Sequence, residues 1–286
     1  MQVINTVNPV NLLFKLSIVF VLFLGFIATS LSQIKKQQDT PLLPSVQLRT
    51  EAGGFIGIGE NIQSGILRTD TSCQCDYEDG RGFGFTIGGL YESEFTRRLF
   101  WGGALAFDLR SFWASFKQRE QLNMNKDGNI YEVPAWFRYR ADVNTWYLTL
   151  MPYLKYIPAK FMFLRLGFGS SFVLSSTLNH NKELLDRSGK ISTGETISLR
   201  IDSTKSSDGI NAKLYNGSLP DLNSMQFSLE PALGFNFLIG EKFRFSPVFQ
   251  YSVPLTILTQ NGQDVKLSSW RILFELRYDI TPEEKF

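Results

Sequence analysis

Few side chains in this sequence can do chemistry. His180, in Leu178-Asn-His-Asn-Lys182, is the sole histidine among 286 residues. Ser175, Ser176 and Glu183 stand near it. A histidine beside a hydroxyl and a carboxylate is the set that general-base activation of a nucleophile needs; the alternative is a solvated loop histidine. Cys73 and Cys75 are separated by one residue. They form a tight disulfide, stay free or pair between molecules, or lend two thiolates to a soft-metal site whose shell two ligands do not close. Asp79-Gly80, Asp127-Gly128 and Asn261-Gly262 look like fragments of calcium loops, but they carry no EF-hand spacing and suit turns better. The stretch 82–88 is glycine-rich, yet it alternates as a strand and opens no helix, so it is no phosphate loop.

Composition narrows the field further. Lys and Arg number 29 against 27 Asp and Glu, a net charge of +2, which gives no basis for nucleic-acid binding. One histidine and two cysteines exclude most zinc sites, and no cofactor motif is present. An apolar content of 43% excludes a disordered chain. Phe is unusually abundant, at 25 residues, beside 23 Gly.

Residues 1–15 hold one charge, Lys15, followed by an uncharged apolar run over 16–27 and the small residues Ser30 and Ser32. This order reads as a signal peptide over 1–32, removed on export. The run is too short for the roughly 20 apolar residues of a membrane anchor. Residues 33–45 read as a short lead-in, and 46–286 as the working domain.

That domain alternates. In 270–280, Trp270, Ile272, Phe274, Leu276, Tyr278 and Ile280 share one face, opposite Arg271, Glu275, Arg277 and Asp279. A strand sends successive side chains to opposite faces. The same period recurs over 46–58, 82–91, 99–110, 146–156, 162–174, 227–239 and 243–257. Each stretch is about the 9–11 residues that a tilted bilayer crossing needs. The apolar faces carry no charge, as expected where a lipid-facing charge costs roughly 2–4 kcal/mol.

The opposite faces hold Arg49, Glu51, Asp108, Arg110, Lys155, Arg165, Glu230, Arg244, Arg271, Glu275, Arg277 and Asp279, among small residues. An eight-stranded barrel is just wide enough for its side chains to fill it. These charges are therefore expected to form an internal salt-bridge network; the other reading is a water-filled polar channel. The expected fold is all-β: a closed antiparallel up-and-down transmembrane barrel of eight strands. Tyr131–Tyr139 and residues 196–201 also alternate, which leaves ten strands as the alternative. Short links (92–98, 157–160, 240–242) alternate with long ones (59–81, 116–143, 176–224, 258–268), and Trp and Tyr cluster at strand ends, as membrane barrels show.

With its leader over 1–32, eight amphipathic strands and an aromatic last strand at 270–280, the chain resembles small bacterial outer-membrane barrels of the OmpA/OmpX type, and the porin family of Bacteroidetes. The resemblance covers most of the chain after residue 32 and rests on pattern alone. It implies a Gram-negative outer-membrane location with both termini periplasmic. It implies contact with membrane lipid and lipopolysaccharide, and insertion by the barrel-assembly machinery, which reads an aromatic last strand; Tyr278 and Ile280 suit it. It implies a non-enzymatic structural, adhesive or ligand-binding role, with an external ligand held by the outer loops. The alternatives are a narrow channel for small polar solutes, and lipid-A modification by His180 with Ser175, Ser176 or Glu183. The tail 281–286 departs from the pattern, and no peptidoglycan-binding module follows.

Overall fold

The computed structural model describes residues 48–69, 75–126, 129–191, 194–201 and 208–281. The leader 1–32 and lead-in 33–45 lie outside them, as does Cys73. Eight long strands form the wall: β1 (Thr50–Arg68), β2 (Arg81–Thr96), β3 (Leu99–Lys126), β4 (Asn129–Ala159), β5 (Met162–Leu184), β6 (Met225–Phe235), β7 (Phe243–Pro254) and β8 (Gly262–Asp279). Each pairs antiparallel with its neighbour in sequence. β8 returns to β1, from Glu51↔Asp279 to Ser64↔Lys266, and closes an eight-membered ring. Closure satisfies the backbone groups that an open sheet edge would leave bare. No helix among the described residues is long and apolar enough to cross a membrane.

The links at one end are tight. Arg97-Arg98 joins β2 to β3, Lys160-Phe161 joins β4 to β5, and 240–242 precedes β7, where Gly240 takes a left-handed φ of 70°. The described chain begins and ends here: the Thr50 amide donates to Thr281 Oγ1 at 3.0 Å.

The other end departs from expectation. β3 and β4 run for 28 and 31 residues, in register from Leu99↔Tyr156 to Lys126↔Asn129. The link expected over 116–143 is thus a hairpin of two long strands, and Tyr131–Tyr139 is the upper part of β4. The alternation at 196–198 belongs to a small two-stranded sheet, Ser188–Lys190 with Thr196–Ser198, outside the wall. The ring therefore has eight strands and not ten. A further strand, Asn211–Gly217, pairs with the top of β5.

Polarity inverts partway up the wall. In lower β4, Trp146, Leu150 and Leu154 face out while Tyr147, Thr149, Tyr153 and Lys155 are buried inside. In upper β4 the same parity puts Val133, Ala135, Phe137, Ala141 and Val143 inside, with Arg140 and Asn144 exposed. β3 inverts at the same height: Asp108 and Arg110 are buried below, Phe112 and Ala114 above, and Arg110 pairs with Thr145 and Phe112 with Val143. Apolar-out, polar-in suits hydrocarbon outside; polar-out, apolar-in suits water outside. The second pattern begins at Ser111, so β3 continues for about 50 Å along the strand above that height at 3.3 Å per residue.

The upper part is packed like a soluble domain. Phe112, Phe137, Leu178 and Leu184 from the wall meet Tyr77, Leu199, Leu219 and Leu258 from the connections in one apolar core. We call it the head.

Candidate functional site

Inside the lower barrel, ion pairs stack in layers. Nearest the tight turns, Glu92 holds both the Lys155 ammonium and Arg277, whose Nη1 lies 2.6 Å from Oε1. Arg277 Nη2 donates to Ser246 Oγ at 2.7 Å. Glu51 pairs with Arg49 and with Arg244 (Nη1, 3.0 Å), and Arg49 also reaches Asp279 at 3.4 Å. One layer up, Arg165 Nη1 meets Glu275 Oε1 at 2.6 Å and Nη2 meets Gln250 at 2.9 Å. Glu230 accepts from Ser228 (2.6 Å), Ser252 (2.7 Å) and Gln250 (3.0 Å).

Below the inversion, Asp108 accepts from Thr149 at 2.6 Å and from Arg110 at 3.2 Å. Arg110 lies over the Tyr147 ring, its Cζ 4.7 Å from the centroid. Arg271 donates to Asn61 Oδ1 at 2.7 Å and to the carbonyls of Glu60 and Trp270.

Of the charges singled out in the sequence, Glu51, Asp108, Arg110, Lys155, Arg165, Glu230, Arg271, Glu275 and Arg277 are buried, while Arg49, Arg244 and Asp279 are half-buried at the lower rim. Phe274 and Phe249 face outward. Sequence reasoning missed Glu92, which pairs with two buried cations, because it ended that strand at residue 91. The even-numbered face of 82–90 already pointed to it. Among Asp108, Arg110, Thr149, Glu230 and Arg271 a void of about 30 Å³ remains, room for about one water rather than a bore. Hydrogen-bonded and ion-paired side chains occupy the lumen at this height.

His180 is neither solvated nor at a lipid surface. It is fully buried in the head, with Nε2 2.6 Å from Tyr77 Oη and Nδ1 3.0 Å from Thr69 Oγ1. The residues near it in sequence diverge: Ser175 is exposed on the outer wall, and Glu183 accepts from Arg138 there at 3.1 Å. His180, Ser175 and Glu183 therefore do not come together in one site. A bulge between Trp146 and Tyr147 shifts the parity of β5 and turns His180 inward, which the sequence alone does not announce. Cys75 is buried and disulfide-bonded. No group of three metal-ligating side chains occurs among the described residues. Burial, first, raises the Tyr77 phenol, and burial with the Glu120 hydrogen bond raises that of Tyr139.

Outside, just above the inversion, the registers of β3, β4, β5 and Asn211–Gly217 build a polar panel. Its lowest row is Trp113, Asp142, Asn179 and Asn216; the next is Ser115, Arg140, Asn181 and Lys213; the third is Lys117, Arg138, Glu183 and Asn211.

No protein-family model matches the chain, and no curated protein matches its sequence. Among solved structures it is similar to Ail, the attachment invasion locus protein of Yersinia pestis, at 14% identity, over 80% of this chain and 98% of that one, with a TM-score of 0.28. It is similar to the outer membrane protein OprG of Pseudomonas aeruginosa (14%, 82% and 97%, TM-score 0.35). It is also similar to the outer membrane protease OmpT of Escherichia coli (9%, 84% and 99%, TM-score 0.31).

Proposed function

We propose that this chain is an integral β-barrel of a bacterial outer membrane, in which the lower wall is an anchor and the head is an external working surface. Its role is structural, adhesive or ligand-binding. The observation that carries this reading is the inversion of polarity at one height on β3 and β4. A wall that is greasy outside below and charged outside above has hydrocarbon around one part and water around the other. The filled lumen supports an anchor over a conduit. In this reading the tight turns and both described ends lie on the periplasmic side, and the head stands among the lipopolysaccharide. The barrel-assembly machinery would insert the chain.

The test has two arms. Outer membranes extracted in detergent should yield a band whose gel migration shifts on boiling; an unshifted band removes the barrel reading. Purified protein in planar bilayers should show no unitary conductance. Discrete steps would overturn the sealed lumen and favour a narrow pore for small polar solutes.

A further inference from the structure

In the head, β3 has a neighbour on one side only. Its pairing with β2 ends at Arg81↔Trp113, whereas its pairing with β4 runs on to Lys126↔Asn129. No strand among the described residues takes the vacated side. Asn61 on β1, beyond β2, donates to the Ser111 carbonyl at 2.8 Å, so that carbonyl points away from β4. Backbone groups alternate sides from one residue to the next. Ser115, Lys117, Arg119, Gln121, Asn123 and Asn125 therefore turn their amides and carbonyls to the vacated side. The register with β4 is unbroken here and no proline interrupts residues 115–125. They form an open edge of about 35 Å at 3.3 Å per residue.

Such an edge templates the pairing of another chain, which adds a strand through main-chain hydrogen bonds while its side chains set specificity. The two faces of β3 say which side chains fit. Outward stand Lys117 and Arg119, both exposed and neither in an ion pair among the described residues. Glu120 faces the other way and is taken by Lys182 at 2.6 Å. Inward stand Phe116, Leu122 and Met124, only partly buried against the head core. An added strand would thus set its outward residues beside two cations and its inward residues beside an apolar strip. Opposite charges across a strand pair attract, and like charges repel. That argues against a second copy, which would bring its own Lys117 and Arg119 to the same edge.

We infer that the upper edge of β3 receives an extended segment of a partner protein as one more antiparallel strand, with acidic side chains outward against Lys117 and Arg119 and apolar ones inward beside Phe116, Leu122 and Met124. The inference takes its external setting from the proposed function and adds the chemistry of the partner. Residues opposite each other share a face, so the acidic residues of the segment are the ones whose amides meet β3.

The experiment titrates the detergent-folded full chain against a fluorescent peptide of alternating Glu and Val, as long as residues 115–125, and follows binding by anisotropy. A peptide of alternating Lys and Val, and Glu–Val peptides N-methylated at every Glu or at every Val, accompany it. Gel migration before and after boiling is read on every sample. Saturable binding of the Glu–Val peptide is expected. Methylation at Glu should abolish it and methylation at Val should spare it. Lys117→Glu with Arg119→Glu should weaken it at least tenfold and favour the Lys–Val peptide instead. Gln121→Pro removes an amide from the open edge and none from the ladder with β4, so it should also weaken binding at least tenfold, with migration unchanged. Lys213→Ser, on the strand at the far side of β5, should bind as the parent does. Absent binding, equal binding of the Lys–Val peptide, or indifference to the methylated position overturns the inference and leaves the barrel standing. Self-association of the parent that Gln121→Pro abolishes also overturns it, since a second copy would then hold the edge. Loss of heat-modifiable migration in a parent that binds strikes the membrane reading instead.

Discussion

Glu92 on β2 and Arg277 on β8, 185 positions apart, meet across the inner face of β1 with 2.6 Å between Oε1 and Nη1. The same carboxylate holds the Lys155 ammonium, so one acid compensates two buried cations. Glu92→Gln would keep the shape and strand the Lys155 ammonium, while Arg277 would keep Glu51 at 3.5 Å and Glu275 at 3.4 Å. Breaking a buried pair from one side costs about 3–5 kcal/mol. Urea unfolding in lipid vesicles, followed by tryptophan fluorescence, should show a loss of that order. Glu94→Gln at the rim, where the carboxylate accepts from the Arg49 amide at 3.2 Å, should cost about 1 kcal/mol. Equal losses would show that Glu92 is no hub.

Two residues of like exposure should respond unequally to a charge. Ile272 is 41% exposed below the inversion, and Trp136 is 45% exposed above it. Ile272→Arg is expected to cost about 2–4 kcal/mol in vesicles, because it faces hydrocarbon. Trp136→Arg should stay within about 0.5 kcal/mol, as surface changes in water do. Similar costs would mean that the inversion is not a membrane boundary.

The lower wall was legible in the sequence because a two-sided solvent enforces a two-residue period: Trp270 to Ile280 spells it out. Legibility stopped where the solvent changed. Above Trp146 the period persists but its sign reverses, so Tyr131–Tyr139 looked like a separate element. The head stayed hidden because its core joins Leu67, Tyr77, Leu184 and Leu258, which no local pattern links. His180 was misplaced for a related reason: a single bulge decides its face, and a bulge leaves no periodic mark.

Gly84 makes room for a guanidinium. A Cβ there would lie 2.3 Å from Arg271 Cζ and 2.3 Å from its Nη2. Gly84→Val must push Arg271 off Asn61, its 2.7 Å partner. Overpacking of this kind costs about 1–3 kcal/mol. Gly103, whose Cβ would meet nothing within 4 Å, provides the contrast, and Gly103→Ala should unfold as the parent does. A neutral Gly84→Val would show that Arg271 is free to move.

The head should loosen in alkali before the wall does. Tyr77 and Tyr139 are buried, and burial raises both phenols above their ordinary value of 10.0. Unfolding returns each to about 10, so the unfolded head loses its protons first as pH climbs. The stabilisation that these groups contribute is therefore complete below pH 10 and falls above it. Tyr77 also meets Nε2 of His180 at 2.6 Å, so its ionisation places a charge on a buried contact between the first connection and β5. Between about pH 10 and 12, protease should begin to cut near residues 69–80 while heat-modifiable migration, the mark of the wall, persists. Phenolate absorbance should still be rising well above pH 10, as Tyr77 and Tyr139 ionise late. A single stage near pH 10 for all ten tyrosines, with no cleavage, would show that the head does not depend on these neutral phenols.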